Sequence, residues 1–180
     1  DSDDNKELSA LLENIGQLSD AETIAAFATR LNDAKLKKKA AELYAIRSEK
    51  LRHQKPDAQN DEAKLFNAAW IDAMKALALD SENARAIYQV GRIMQYRKDL
   101  AGANENFEQV IRLEGGKYPR DDEIYLRSYL QKAVILLQQS ENTFQKDVCE
   151  SYKNAAKHFA DAGLDINWDT EAKPFKDRCK

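Results

Sequence analysis

The stretch ARAIYQVGRIMQY, Ala84 to Tyr96, places Arg85, Tyr88, Arg92 and Tyr96 at i, i+3, i+7 and i+11. That spacing gathers the four near one face of a helix. Two guanidinium groups interleaved with two phenols suit recognition: the guanidinium fork pairs with carboxylates, and a rigid ring adds contact area at low entropy cost. The plainer alternative is that they fill a half-exposed helix face. Catalysis needs convergent titratable groups, and these are scarce. His53 ends a basic segment beside Gln54, and His158 lies between Lys157 and Phe159. Glu49 and His53 share a helix face, yet two groups without a third do not make a usual zinc site. The sequence holds no HExxH, CxxC or GxxxxGK[ST] motif, and Gly115-Gly116 is a lone pair at a helix end. Cys149 falls on or near the apolar Val148/Tyr152 stripe, so burial or a disulfide suits it better than nucleophilic catalysis. The inventory implies no enzyme, no metal site and no cofactor.

The elements that must position these residues are helical. Ala, Leu, Glu, Lys and Gln dominate, all favourable to helix, and the prolines stand far apart at Pro56, Pro119 and Pro174. With 180 residues, 43% of them hydrophobic, the chain can bury one core and is expected to form one structural domain. A net charge of −3 argues against bulk electrostatic binding to nucleic acid or an anionic membrane. The basic run from Lys35 to Lys55 opposes that average and reads as a solvated helix face. No stretch approaches the roughly 18 apolar residues of a membrane span.

Apolar periodicity predicts a short helix around Leu8–Ile15 that stops at Gly16, then a capping box in Ser19-Asp20-Ala21-Glu22. A helix with the stripe Ile24, Phe27, Ala28 and Leu31 follows. Further helices are expected over 33–53, 62–79, 83–97, 100–113, 121–139 and 142–162. Their inner faces include Leu36, Ala40, Leu43, Ile46 and Leu51 in the first of these, and Phe66, Trp70, Ala73 and Leu77 in the second. Pro56 breaks the chain after His53, and the two glycines after Glu114 suit a left-handed cap. Beyond Gly163 the pattern fails, and a tail with at most one helical turn is expected. The reading is all-α, as consecutive antiparallel hairpins.

The ending Ala76-Leu77-Ala78-Leu79-Asp80 is restated 34 residues later as Val110-Ile111-Arg112-Leu113-Glu114. In a 34-residue frame from Ala84, Ile87, Val90, Gly91 and Met94 are followed by Ala103, Phe107 and Val110. Gly91 and Ala103 would let two backbones approach while the larger residues fill the surrounding space. This spacing is similar to the tetratricopeptide repeat, W-x₂-L-G-x₂-Y then A-x₃-F then P, with Ile87, Met94 and Gly115 where the pattern has Trp, Tyr and Pro. The resemblance covers residues 33–162, best over 84–117; residues 1–32 would form an N-terminal helical cap and 163–180 a C-terminal tail.

The resemblance implies an α-solenoid with a right-handed superhelix, whose first helices line a concave groove that binds a partner's peptide or helix. Carried over position by position, the groove residues are Arg85, Tyr88, Arg92, Gln95 and Tyr96, joined by Lys37, Tyr44 and Arg127 from the flanking first helices. The implied activity is that of a non-enzymatic scaffold or adaptor for a protein or peptide partner of acidic character. Competing classes are an assembly subunit stacking through its repeats and an enzyme on a helical scaffold; the oligomeric state is open between monomer and weak homo-oligomer. Arg92 stands where a carboxylate-clamp repeat has Asn, so specificity for a C-terminal carboxylate is not implied. The tail is alternatively a cover for the groove, anchored by Trp168 or Phe175. The start DSDDNKELSA suggests a removed targeting segment or a trimmed chain. With a Cys149–Cys179 pair the chain would suit an exported protein; two reduced thiols would suit a cytosolic one.

Overall fold

The computed structural model describes residues 21–117 and 120–179, and among these the regular structure is entirely helical. The chain-order elements are α1 (Ala21–Leu31), α2 (Ala34–His53), α3 (Glu62–Leu79), α4 (Ala84–Tyr96), α5 (Leu100–Gly115), α6 (Asp122–Gln139) and α7 (Lys146–Asp161). Two 3₁₀ turns, Ile166–Trp168 and Thr170–Ala172, lead into the short α8 (Lys173–Lys176). The expected helix around Leu8–Ile15 and the Ser19-Asp20 part of the capping box lie outside the described residues. No described helix is long and apolar enough to cross a membrane. The chain divides into two compact units between Val90 and Gly91, inside α4.

In the unit ending at Val90, Asp33 caps α2 by accepting the N–H groups of Lys35 and Leu36 at 2.8 and 3.0 Å. That cap is why the helix starts one residue after the expected position. Ala40, Ala41 and Ala45 are fully buried on α2, as are Ala69, Ala73 and Ala76 on α3. Small residues on both helices permit close packing. Phe66 and Trp70, expected on the inner face of α3, are only half-buried, as Leu65 and the alanine stripe occupy it. Ser48 Oγ donates to Ala69 O, Arg47 to Asp72, and Lys75 Nζ lies over the Tyr44 ring. Residue numbers fall on one helix as they rise on the other, so α2 and α3 are antiparallel.

In the unit from Gly91, close approach explains the glycine: a Cβ there would lie 2.9 Å from Phe107 Cε1. Lys98 takes a left-handed φ of 67° in the tight turn, and Asp99 caps α5 through the Gly102 N–H. The buried Glu114 carboxylate accepts from the Asp121 N–H, and Glu108 pairs with Lys132, so α5 and α6 run antiparallel. The expected left-handed glycine cap after α5 is absent: Gly115 is helical and Gly116 has φ −96°. Helix α7 begins four residues later than expected, because Glu141 and Asn142 both adopt positive φ, conformations that no helical turn accepts.

The tail is more ordered than its sequence suggested. Asp165 and Asp169 cap the two 3₁₀ turns by accepting the Asn167 and Glu171 N–H groups. Phe175 is fully buried and stacks on Tyr152 of α7 at 5.0 Å between centroids. Cys149 and Cys179 form a disulfide with Cα atoms 5.1 Å apart, closing a span of 30 residues.

Candidate functional site

The residues singled out from the sequence fall into both units. In the first, Arg85 lies on α4 with its Nε on Glu42 and an Nη on Glu49, both at 2.9 Å. Asn83 also donates to Glu42, so an acidic face of α2 already meets the start of α4. Tyr88 is 1% exposed and Tyr44 4%, which makes both core residues of that unit. The Tyr44 ring lies under the Arg47 guanidinium at 5.2 Å, and burial pushes its hydroxyl above the ordinary tyrosine value. Lys37 donates to Asn32 Oδ1 at 2.7 Å on the exposed first turn of α2.

The second unit brings Arg92 of α4 and Arg127 of α6 onto one surface with Gln131, one turn beyond Arg127. This surface holds a segment of the chain itself. Arg92 donates to Glu171 through both terminal nitrogens, each at 2.9 Å, in the bidentate arrangement that makes Arg–carboxylate pairs strong. Gln131 Nε2 donates to the same carboxylate at 2.6 Å. Two residues before Glu171, Asp169 lies 3.2 Å from Arg127 Nε, and the Arg127 guanidinium stands 5.4 Å from the Trp168 ring centroid. Glu123, one turn back on α6, holds another Arg127 nitrogen at 3.0 Å. Gln95 is nearly buried and donates to Gln138 at 3.2 Å, while Tyr96 is 41% exposed.

The fit of the segment is incomplete. Gln131 is fully buried, yet its Oε1 has no hydrogen-bond partner among protein groups. Arg127 Nε is buried as well; its distance to Asp169 is that of an ion pair, but the angle is not that of a hydrogen bond. A buried acceptor left unmet costs about 1–3 kcal/mol. Beside this surface lies an open pocket of about 140 Å³, lined by Glu123, Leu126, Arg127, Phe159, Leu164 and Trp168. Leu164 and Trp168 are 50% and 66% exposed on its rim.

Gln131, Asp169 and Glu171 were not legible as site residues. Gln131 carried one usable signal, its i+4 spacing from Arg127 on the same helix. Asp169 and Glu171 sit in a segment with no periodicity, so nothing in the sequence pairs them with arginines up to 79 residues away.

Titratable chemistry remains sparse. His158 stacks on Tyr129 at 3.8 Å, and burial lowers its pKa; Asp161 opposes that shift, while Lys157 and Arg120 add to it. The Tyr129 hydroxyl is pushed up to about 12 by burial and by its hydrogen bond with Tyr125. The stacked rings pack α7 against α6. Among the described residues no group of three or more His, Cys, Asp or Glu side chains could hold a metal ion. No protein-family model matches the chain, and no curated protein matches it. What the Arg92–Arg127–Gln131 surface can do is bind carboxylates.

Proposed function

We propose that the chain is a non-enzymatic interaction module of tetratricopeptide-like hairpins, stacked as a right-handed superhelix, that takes a partner's peptide on the face of its first helices. In this reading α2/α3, α4/α5 and α6/α7 are the hairpins, and Arg92, Tyr96 and Arg127 present the binding face in the second unit, while Gln95 is nearly buried and bonded to Gln138. The observation that carries it is the bidentate hold of Arg92 on Glu171: the face already grips an irregular chain segment by its carboxylate. The packing of Gly91 on Phe107 supports the repeat frame, since that glycine occupies the small position of the pattern.

The test is selection of peptides from a random displayed library on the immobilised full chain. Asp- and Glu-rich peptides are expected, bound at least tenfold more weakly by Arg92→Gln and Arg127→Gln chains that melt cooperatively. Selected peptides without acidic enrichment, or affinities unchanged in both folded variants, would overturn the reading. Gln is preferred to charge reversal here because a Glu at 92 would face Glu171.

A further inference from the structure

The segment on the Arg92–Arg127–Gln131 surface shows what that surface is built to hold. Its two carboxylates, Asp169 and Glu171, are two residues apart and engage two different guanidiniums. Each arginine comes from a different helix, α4 or α6, so their separation selects a spacing of acidic residues along the bound segment. The hold on Glu171 is complete, three hydrogen bonds from Arg92 and Gln131. At Asp169 it is not, because that side chain also caps its own 3₁₀ turn and meets Arg127 Nε out of line. The buried Gln131 Oε1 adds an unmet acceptor that a peptide N–H from an extended strand could satisfy. A segment folded into a 3₁₀ turn spends its N–H groups internally: the Ala172 N–H goes to Asp169 O. The resident segment is thus a near fit, matched in charge and mismatched in backbone.

We propose that residues 165–172 are a tethered stand-in for the partner, and that the partner is an extended acidic peptide presenting two carboxylates in an acid-x-acid arrangement to Arg127 and Arg92. The inference rests on the peptide-binding reading above and specifies its ligand and its occupied state. The Cys149–Cys179 disulfide and the buried Phe175 keep the stand-in at high effective concentration, so the resting chain is a weak binder. Neutralising the stand-in's own carboxylates removes its advantage without removing its anchors.

The experiment uses fluorescence polarisation of the fluorescein-labelled peptide GSDTEVG, an extended probe with the acid-x-acid spacing and no Phe anchor, on full-length chains. Three proteins are compared: the native chain, Asp169→Asn/Glu171→Gln, and that double variant carrying Arg92→Gln as well. Asn and Gln keep the side-chain shapes, and Asn still caps the turn. The expected result is at least tenfold tighter binding by the double variant than by the native chain, lost again on Arg92→Gln. A probe with neutral Asn and Gln at its acidic positions is expected to bind none of the three. Equal binding of GSDTEVG by native and double-variant chains, with far-ultraviolet circular dichroism and melting unchanged, would overturn the stand-in while leaving the peptide-binding reading to its library test. Tighter binding that survives Arg92→Gln would overturn the assignment of the site. If the double variant melts early, the Glu171→Gln single variant serves the same comparison, with the same outcomes deciding it.

Discussion

At the residue scale, the interactions divide by what surrounds each charge. Asp72 is nearly buried and takes two hydrogen bonds from Arg47, at 2.6 and 2.8 Å, while Glu22 on the same guanidinium is about half exposed. These bonds hold the Arg47 guanidinium firmly protonated, and the hydrogen bond from Arg47 lowers the Glu22 pKa. Asp72→Ala leaves a three-quarters-buried guanidinium with the half-exposed Glu22 and the Tyr44 ring, and is expected to cost about 2 kcal/mol in urea unfolding. Glu22→Gln removes a solvent-screened partner, and should cost under about 1 kcal/mol. A similar loss from both would contradict the burial argument. Gly91→Ala gains helix propensity of about 1 kcal/mol but drives a methyl to 2.9 Å from the fully buried Phe107 ring. Overpacking of about 1–3 kcal/mol should dominate, giving a net destabilisation measurable by the same titration.

At the element scale, His158 reports on how α7 seats against α6. Burial lowers its pKa, so the folded state disfavours the protonated ring. Between the folded value and the ordinary value of about 6.5, the unfolded chain binds more proton, so stability rises with pH across that window. The contribution is fully present above pH 6.5 and is lost as pH falls through the folded pKa. Urea midpoints of the native chain are therefore expected to drop as pH is lowered from about 7 to about 5, more steeply than those of His158→Phe, which keeps the stack on Tyr129. Parallel pH profiles would contradict this assignment. The carboxylates lowered by partners, Glu22 by Arg47 and Glu108 by Lys132, act at lower pH, because their stabilisation is lost only as pH falls below the ordinary carboxylate range.

The helices themselves were legible for a physical reason: a 3.6-residue apolar period is a local property, visible without the fold. Asp33, Asp61, Asp99 and Asp121 each cap a helix start, and this sets most of the boundaries. Legibility ended where backbone conformation depends on neighbours. Glu141 and Asn142 adopt left-handed φ without glycine, so the start of α7 could not be read from residue type. The tail escaped for a related reason, since its order comes from contacts distant in sequence: Phe175 on Tyr152, Glu171 on Arg92, Cys179 on Cys149. Of the eight residues assigned to a groove, helix spacing alone groups Arg85, Tyr88, Arg92 and Tyr96 near one face. The same geometry could not separate Tyr88, which is buried, from the others, because a four-residue stripe spans both the edge and the core of a half-covered helix.

At the scale of the whole molecule, the disulfide belongs to the unit from Gly91 and secures a segment with little regular structure of its own. Closing 30 residues restricts the unfolded chain by about 3–4 kcal/mol on loop-entropy grounds. A Cys149→Ser/Cys179→Ser chain is expected to lose about that much stability, with amide exchange accelerating first over residues 165–179. Unchanged protection in that segment would mean that Phe175 and the carboxylate pairs hold it unaided. In the proposed reading the same segment would link stability to function, since whatever secures it would also compete with a peptide for Arg92 and Arg127.

The central claim, that a partner peptide lies on the first-helix face of the second unit, is tested most directly by two-dimensional amide spectra of the ¹⁵N-labelled full chain during addition of the tightest library-selected peptide. Saturable shifts are expected, largest around Arg92, Tyr96, Arg127 and Gln131 and along residues 165–172 if the stand-in is displaced. Shifts centred on α3, α5 or the outer side of α7, with residues 92, 127 and 131 unmoved at saturation, would contradict it.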